Sequence, residues 1–579
     1  MFSELGKLYP VLANNEGYTL PSVGYEKRRI GAVFVINNLG NLRQVQILGK
    51  EDTLSLLVPW DGDATSGIKP RFLWGNLPYC LGLTPEGKNP KRTAECFDQF
   101  KQKHFQVQKD INSPAFDSFC QFLKTWDPDN VPEDIPGLEE FIKQGKIYCV
   151  FQIQTEIGYL HEDPEIKSWW DEKGLDFWKT KEEAVVGQCS VTGRTGELAR
   201  IHPSIKGISG GDSSGSSLVN FNKSSFESYG REQSFNAPML QEVSFKAHAA
   251  LNCLLSDKKH SQSIGNTSIV YWSKPIEVAG EIPLLESIGV SDGKYQDEAT
   301  RASVQNFLTA LRTGKPVHEN ADLLKKGEYC IAGLAGYGGR SSIQFFYKDT
   351  CDQIHGKLRD HLNCLELYME IHGEQRNPPT VRDILKLVEE KKYNPSNTTK
   401  LFRSILFKEK YPLDIYHRAM YLLSLPRKKE YLPWWVEYNA VSYVKAVLTR
   451  NFGKEVSMSL DQNCKNSGYL MGRLFSTLSK AEEESSGNDN MNNLMNAASQ
   501  SPQRIFGSKL LPLNRHHLKK LNPGRRVNFE KKIQEIMSGV VEIPKTLNTQ
   551  DKAQFFVGYF HQRQDFFSKK EKLEVEDSE

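Results

Sequence analysis

The chain has 579 residues, 39% of them hydrophobic and 25% charged, with a formal net charge of +3. That length exceeds one ordinary core and sets an expectation of about two to four domains. The composition excludes disordered and fibrous classes, and the near-balanced charge excludes a wholly polybasic chain, so any nucleic-acid surface must be local.

The ten cysteines (80, 96, 120, 149, 189, 253, 330, 351, 364 and 464) are scattered, and no two have C-x-x-C spacing. A zinc ribbon or finger is therefore not expected, and reduced thiols in a cytoplasmic protein are. Met1 to Lys7 lacks the apolar centre of a signal peptide, and no run of about 18 apolar residues predicts a membrane span.

In chain order, Ala32-Val33-Phe34-Val35-Ile36 reads as a strand. A turn at Asn37 to Asn41 and a return strand from Arg43 to Leu48 complete a hairpin. The loop Trp60 to Gly67 follows, then the aromatic-rich stretch Lys69 to Leu83, in which Asn76 reads as exposed. Residues 88–106 and 113–125 are predicted helices, and Lys146 to Gln154 a strand. Leu218 to Phe221 reads as an apolar strand following a glycine-serine loop. Residues 239–255 fit an amphipathic helix with Leu240, Val243, Ala247, Ala250, Leu251 and Leu254 on one face. Thr267 to Trp272 is a further strand, and Glu328 to Tyr347 a second hairpin around Gly336-Tyr337-Gly338-Gly339-Arg340. After 349 helical periodicity dominates, broken at Asn377-Pro378-Pro379, Asn394-Pro395 and Pro433. The tail is predicted helical over 467–483, 514–521, 528–538 and 548–570, with a polar gap from Glu482 to Asn493.

The expected fold class is α+β. A mixed domain of antiparallel sheets and helices (1–348) precedes a helical connecting domain (349–457) and a C-terminal helical bundle (458–579).

No phosphate-binding G-x-x-x-x-G-K-[ST], H-E-x-x-H, G-x-S-x-G or EF-hand pattern occurs. Pro128-Asp129 with Glu140 and Lys143 has the wrong spacing for a restriction-type nuclease. His516-His517 are adjacent on a predicted helix and point different ways, which is poor geometry for shared metal ligation. The expectation is a chain without catalytic residues, cofactor or metal.

Binding remains. Arg504, Lys509, Arg515, Lys519, Lys520, Arg525, Arg526, Lys531 and Lys532 fall within about 30 residues of the tail, with Glu530 the only acid among them. Such a cluster is either a solvated helical face or the footprint of phosphate-backbone binding without base selectivity, and the scarcity of acids favours the second. Gly207-Ile208-Ser209-Gly210-Gly211-Asp212-Ser213-Ser214-Gly215-Ser216-Ser217 is either a structural turn or a contact loop. Glycine permits close backbone approach and serine offers small donors and acceptors, properties suited to a minor groove. Lys206, Asn220, Asn222 and Gln233 flank it. Asn76 is either a turn residue beside Gly75 or a base-edge contact, and Arg71 and Lys69 either phosphate clamps or surface charges.

These residues carry a resemblance. Phe72 to Gly82, Cys189 to Gly193, Ile201 to Gly207, the glycine loop through Asn222, Phe226 to Gly230, Asn236-Ala237-Pro238, Gly468 to Phe475 and Gly558 to Gln564 are similar to the large subunit of the type I-C CRISPR surveillance complex, Cascade. The similarity runs nearly end to end. The resemblance implies an RNA-guided, DNA-binding antiviral assembly in which guide pairing supplies sequence specificity and protein reads a short protospacer-adjacent motif. It implies a subunit that contacts that motif in duplex DNA, aids strand separation and R-loop stabilisation, and recruits a helicase-nuclease without itself cutting. The implied partners are guide RNA, target DNA, and the backbone and foot subunits. They also include a small subunit produced by internal translation of the helical tail, for which Met458 is the candidate start. Under this resemblance Lys206, Gly207, Gly210, Gly211, Ser213, Ser214, Gly215, Asn220, Asn222, Asn76 and Arg71 are the candidate motif contacts. Arg504, Lys509, Arg515, Lys519, Lys520, Arg525, Arg526 and Lys531 are the candidate backbone contacts. The alternatives are a stand-alone nuclease or nucleotide-dependent enzyme, and an RNA-packaging scaffold indifferent to the flanking motif.

Overall fold

The computed structural model describes residues 1–18, 20–48, 54–61, 67–132, 134–145, 147–178, 185–274, 327–371, 374–388, 395–426, 433–487 and 490–567. Positions 62–66 of the Trp60 to Gly67 loop, Lys146, part of the polar gap (488–489) and the end of the last predicted helix (568–570) lie outside them. The chain forms two compact units, one of residues 1–205 and 217–253, the other of 206–216 and 254–579. The boundaries expected near 348 and 457 both lie within the second unit.

In the first unit, strands β1 (Tyr25–Ile30), β2 (Ala32–Ile36), β3 (Leu42–Ile47), β4 (Leu54–Pro59), β5 (Trp74–Gly75) and β6 (Cys149–Ile153) form two sheets. β1 pairs with β4, and the other sheet runs in the order β3-β2-β6-β5. The unbroken apolar run of β2 makes it a central strand buried along its whole length. It pairs antiparallel with β3, as the hairpin reading predicts, but parallel with β6. A parallel pair requires a crossover, and the helices Pro90–Val107 and Pro114–Thr125 lie in it. Both helices start where their residues dictate. Proline fills the first turn, and the Asn89 and Ser113 side chains accept the backbone N–H of Lys91 and Phe116. Beneath them Phe72, His104, Phe116, Trp169, Trp170 and Trp178 form an aromatic core.

The 185–238 tract is mostly turns. β7 (Val186–Gln188) and β8 (Thr195–Glu197) make a short ribbon, and Cys189 and Leu198 pack on Met239, Leu240 and Val243 at the start of the Gln241–Ser256 helix. His202 stacks on His248 at 5.8 Å, its Nδ1 2.6 Å from the Ser244 hydroxyl. The strand expected at Leu218 to Phe221 does not form. Those residues are half-buried or exposed and pair with no neighbouring strand, so their apolar run finds no sheet to enter.

The second unit holds an antiparallel sheet of β9 (Ser261–Ile264), β10 (Thr267–Lys274), β11 (Glu328–Tyr337) and β12 (Arg340–Thr350). Its buried face packs on the helices Cys351–Leu365 and Pro395–Leu406. The same core continues without a break through Trp434–Phe452 to Ser467–Ser486 and Thr549–Phe567. These last two helices approach closely because Gly468 lies against the Asp551 backbone, Gly472 against Phe555 and Tyr559, and Gly558 against Tyr469. A Cβ on Gly472 would come within 2.8 Å of the Phe555 carbonyl carbon and the Tyr559 amide nitrogen, and nearer still to the Phe555 oxygen. Across the seam Tyr469 OH lies 3.0 Å from His561 Nδ1. Arg473, 1% exposed, donates to Gln562 Oε1 at 3.1 Å and Glu535 Oε1 at 2.7 Å. The 468–475 and 558–564 segments are thus helix-packing motifs.

Candidate nucleic-acid interface

The glycine loop belongs to the second unit and is docked on the turn between β11 and β12. Gly336 N–H donates to Ser209 O at 3.2 Å, Gly338 N–H to Gly210 O at 3.0 Å and Asp212 N–H to Gly338 O at 3.1 Å. The Ser216 hydroxyl donates to Gly338 O at 2.6 Å, and Ser209 bonds the Ser268 hydroxyl and Gly265 O. Ile208 is buried beneath. The fit demands glycine on both sides: a Cβ on Gly210 (φ +79°) would sit 2.6 Å from Gly336 O, and one on Gly336 2.8 Å from the Gly210 carbonyl carbon. The close backbone approach inferred from sequence is therefore made, within the protein, to the 336–338 turn. What the docked loop leaves outward is Asp212, Ser213 and Ser214, with Tyr337, 58% exposed, on the turn that holds it.

Lys206, Gly207, Gly210, Gly211, Ser213, Ser214 and Gly215 come together in this loop. Asn220 and Asn222, both exposed, belong to the first unit, as do Asn76 and Arg71. Asn76 precedes the short helix Leu77–Cys80 without capping it, and its Oδ1 is buried with no hydrogen-bond partner. A buried acceptor left unmet costs about 1–3 kcal/mol, so this amide is held with an unspent bond. Three residues earlier stands Leu73, a non-glycine residue at φ +61°, whose N–H donates to His104 Nε2 at 3.1 Å. His104 Nδ1 bonds Phe100 O at 2.7 Å, and burial pushes the imidazole pKa down to about 3, so the ring is neutral.

Arg71 and Lys69 share one buried carboxylate. Arg71 NH1 lies 2.6 Å from Asp61 Oδ1 and Lys69 Nζ 3.2 Å from Asp61 Oδ2. The Arg71 guanidinium also lies 5.8 Å from the Trp74 ring centre. Lys103, which the sequence did not single out, donates to Trp178 O. Its pKa is lowered by burial and by the neighbouring Lys69 and Arg71, with Asp61 opposing. Lys69, Arg71 and Lys103 thus gather around the Asp61 carboxylate.

The basic tail residues lie on a different set of helices, Pro502–Ile505 through Pro523–Ser538. The last of these begins at Pro523, five residues before the expected start, because Asn522 caps it by accepting Arg525 N–H. The fold adds acids from outside the cluster to the Glu530 within it. Arg525 makes a two-pronged bond to Glu484 at 2.7 and 2.6 Å, Arg526 pairs with Glu530 at 2.8 Å, and Lys532 lies between Glu535 and Asp565. Arg504, Lys509, Arg515, Lys519, Lys520 and Lys531 are exposed, and among the described residues they meet no carboxylate. His517 is half-buried against Ser485 at 3.0 Å while His516 is exposed, so the two diverge, and no metal-binding group of His, Cys, Asp or Glu occurs among the described residues.

A family model described as CRISPR-associated protein (Cas_Csd1) matches residues 5–567, nearly the whole chain. The chain belongs to this family. The family is the large subunit of type I-C Cascade, so this is a CRISPR-associated Cascade subunit, working in a complex with other Cas subunits and CRISPR RNA. No curated protein matches the chain. Among the described residues no helix is long and apolar enough to cross a membrane.

Proposed function

We propose that this subunit contacts the protospacer-adjacent motif of duplex target DNA, aids strand separation and R-loop stabilisation, and recruits the helicase-nuclease, with no catalytic step of its own. The observation that carries the reading is the rigidly docked glycine loop. Its outward Ser213 and Ser214 hydroxyls are small donors and acceptors on a backbone fixed by the 336–338 turn. A preorganised, slim edge of this kind suits a groove in which few groups are available to read. On the first unit the amide nitrogen of Asn76, whose Oδ1 is buried, would supply a base-edge bond, and the cations Lys69, Arg71 and Lys103 would supply phosphate contact. The unpaired cations of the Leu511–Lys520 and Pro523–Ser538 helices would hold backbone phosphates without reading sequence.

In this reading guide RNA supplies sequence specificity, and the backbone and foot subunits, the helicase-nuclease and a small subunit starting at Met458 are the protein partners. The test is twofold. The purified chain, given divalent metal and labelled DNA, should leave the DNA intact, and cleavage would favour a stand-alone nuclease. The assembled complex should bind target in a way that depends on the flanking sequence, and indifference to it would favour a packaging scaffold.

A further inference from the structure

The helix Trp434–Phe452 opens on two consecutive tryptophans. Trp434 and Trp435 are 48% and 40% exposed, whereas the other seven of the nine tryptophans are buried or half-buried. Above them lies Arg376. Its guanidinium carbon is 4.8 Å from the Trp434 ring centre and 5.1 Å from that of Tyr438. Tyr438 OH donates to Asn377 O at 3.1 Å and so ties the chain bearing the arginine to the helix. Arg376 Nε is buried with no hydrogen-bond partner, and among the described residues no carboxylate pairs with this guanidinium. It is a cation held over two aromatic rings, with no hydrogen bond to its guanidinium among the described residues.

A second cation–aromatic pair stands on the Leu413–Ser424 helix, which packs on Trp434–Phe452. Arg418 sits 5.1 Å from the ring centre of Tyr421, which is 53% exposed, and donates to Leu387 O at 3.3 Å, with no acid beside it among the described residues. Tyr443 OH bonds Pro412 O, and Asn451 bonds the Tyr411 backbone at both N and O. Those bonds set the start of the Leu413–Ser424 helix against the far end of Trp434–Phe452. The two helices pack against each other.

We propose that Arg376, Trp434 and Trp435, with Arg418 and Tyr421 on the neighbouring helix as a second contact, form a binding site for an unpaired nucleic-acid strand, with bases stacking on the exposed rings and phosphates meeting the two guanidiniums. Flat exposed rings accept any base face, and a stacked guanidinium presents its donors to phosphate oxygens in the plane they prefer. An acidic peptide would satisfy the arginines but leave the indole faces without a flat partner. The site rests on the reading of this chain as a subunit that meets opened target DNA, and it uses none of the residues assigned above to the duplex or to the tail cations.

The test uses the full chain, a short oligothymidylate and an abasic strand of equal length. Oligothymidylate should quench tryptophan emission and bind more tightly than the abasic strand. Trp434→Ala with Trp435→Ala should abolish the quenching and weaken binding about tenfold or more. Arg376→Lys, which keeps the charge and loses the fork, should weaken it about fivefold. If removing Trp434 prevents folding, Trp435→Ala with Tyr421→Ala replaces it, since both side chains stand at the surface. Equal binding of the abasic strand, or unchanged affinity in the aromatic variants, would overturn the proposal. So would variants that bind oligothymidylate normally but fail to enter the complex, which would mark a protein interface. The flanking-motif preference of the assembled complex should be untouched by these variants. Its absence from the wild-type complex would count against the duplex reading instead.

Discussion

Replacing Gly336 by alanine tests the docked loop without touching any residue proposed to face DNA. The new Cβ would lie 2.8 Å from the Gly210 carbonyl carbon and the Gly211 Cα, and closer still to the Gly211 nitrogen, all backbone atoms that cannot rotate aside. The loop must lift off the β11–β12 turn. It would then lose the bonds Gly336 N–H to Ser209 O, Gly338 N–H to Gly210 O, Asp212 N–H to Gly338 O and Ser216 hydroxyl to Gly338 O. At about 1 kcal/mol net for each bond, docking is worth about 3–4 kcal/mol. Hydrogen exchange on the purified chain should therefore show faster exchange of the Asp212, Gly336 and Gly338 amides by about a hundredfold or more, with β10 and the rest of β11 unaffected. Gly356→Ala, at a helical position with open space around its Cβ, is the control and should change neither. Wild-type protection of the loop in Gly336→Ala would refute the argument that this glycine pair holds it.

Three further outcomes follow from the same geometry. Gly472→Ala should destabilise the second unit by about 3 kcal/mol, the upper end of overpacking costs, because the Ser467–Ser486 and Thr549–Phe567 backbones must part; an unchanged denaturant midpoint would contradict it. Lys519→Ala with Lys520→Ala should reduce the slope of log affinity against log salt by about 2. The Arg525→Ala, Arg526→Ala pair should reduce it less, since those arginines are engaged by Glu484 and Glu530. Equal slopes for the two double variants would reverse that ranking. Stability should fall in acid. Burial holds His104 near 3 and His202 and His248 near 4, all below the ordinary 6.5, so the unfolded chain binds these protons first. Their contribution is complete above 6.5 and is lost as pH falls towards 3, by up to about 1.4 kcal/mol per pH unit for each ring. A denaturation midpoint constant between pH 6.5 and 4 would contradict the neutral, buried assignment.

Much of the fold is readable where periodicity is strong and local. The β2–β3 and β11–β12 hairpins, the proline-started helices at 90 and 114, and the tail helices all follow from residue pattern and capping. What escaped is set by tertiary pairing. The parallel β2–β6 register depends on a crossover that no local signal announces, and the apolar Leu218 to Phe221 run finds no sheet edge. The glycines of the 207–215 loop were legible as a demand for close approach, but their partner, the 336–338 turn, lies over a hundred residues away in sequence. Likewise Glu484 cannot be seen to neutralise Arg525 until the helices pack. The Arg376–Trp434 stack had one available signal, two adjacent tryptophans opening a helix, but the arginine that completes it comes from a separate segment.

The most direct test of the central claim is target binding by the reconstituted complex with the flanking motif scanned, comparing wild type with Ser213→Ala, Ser214→Ala and with Gly336→Ala. The account predicts that both variants assemble, keep guide-dependent binding and lose preference among flanking sequences. A wild-type preference profile in both would contradict it.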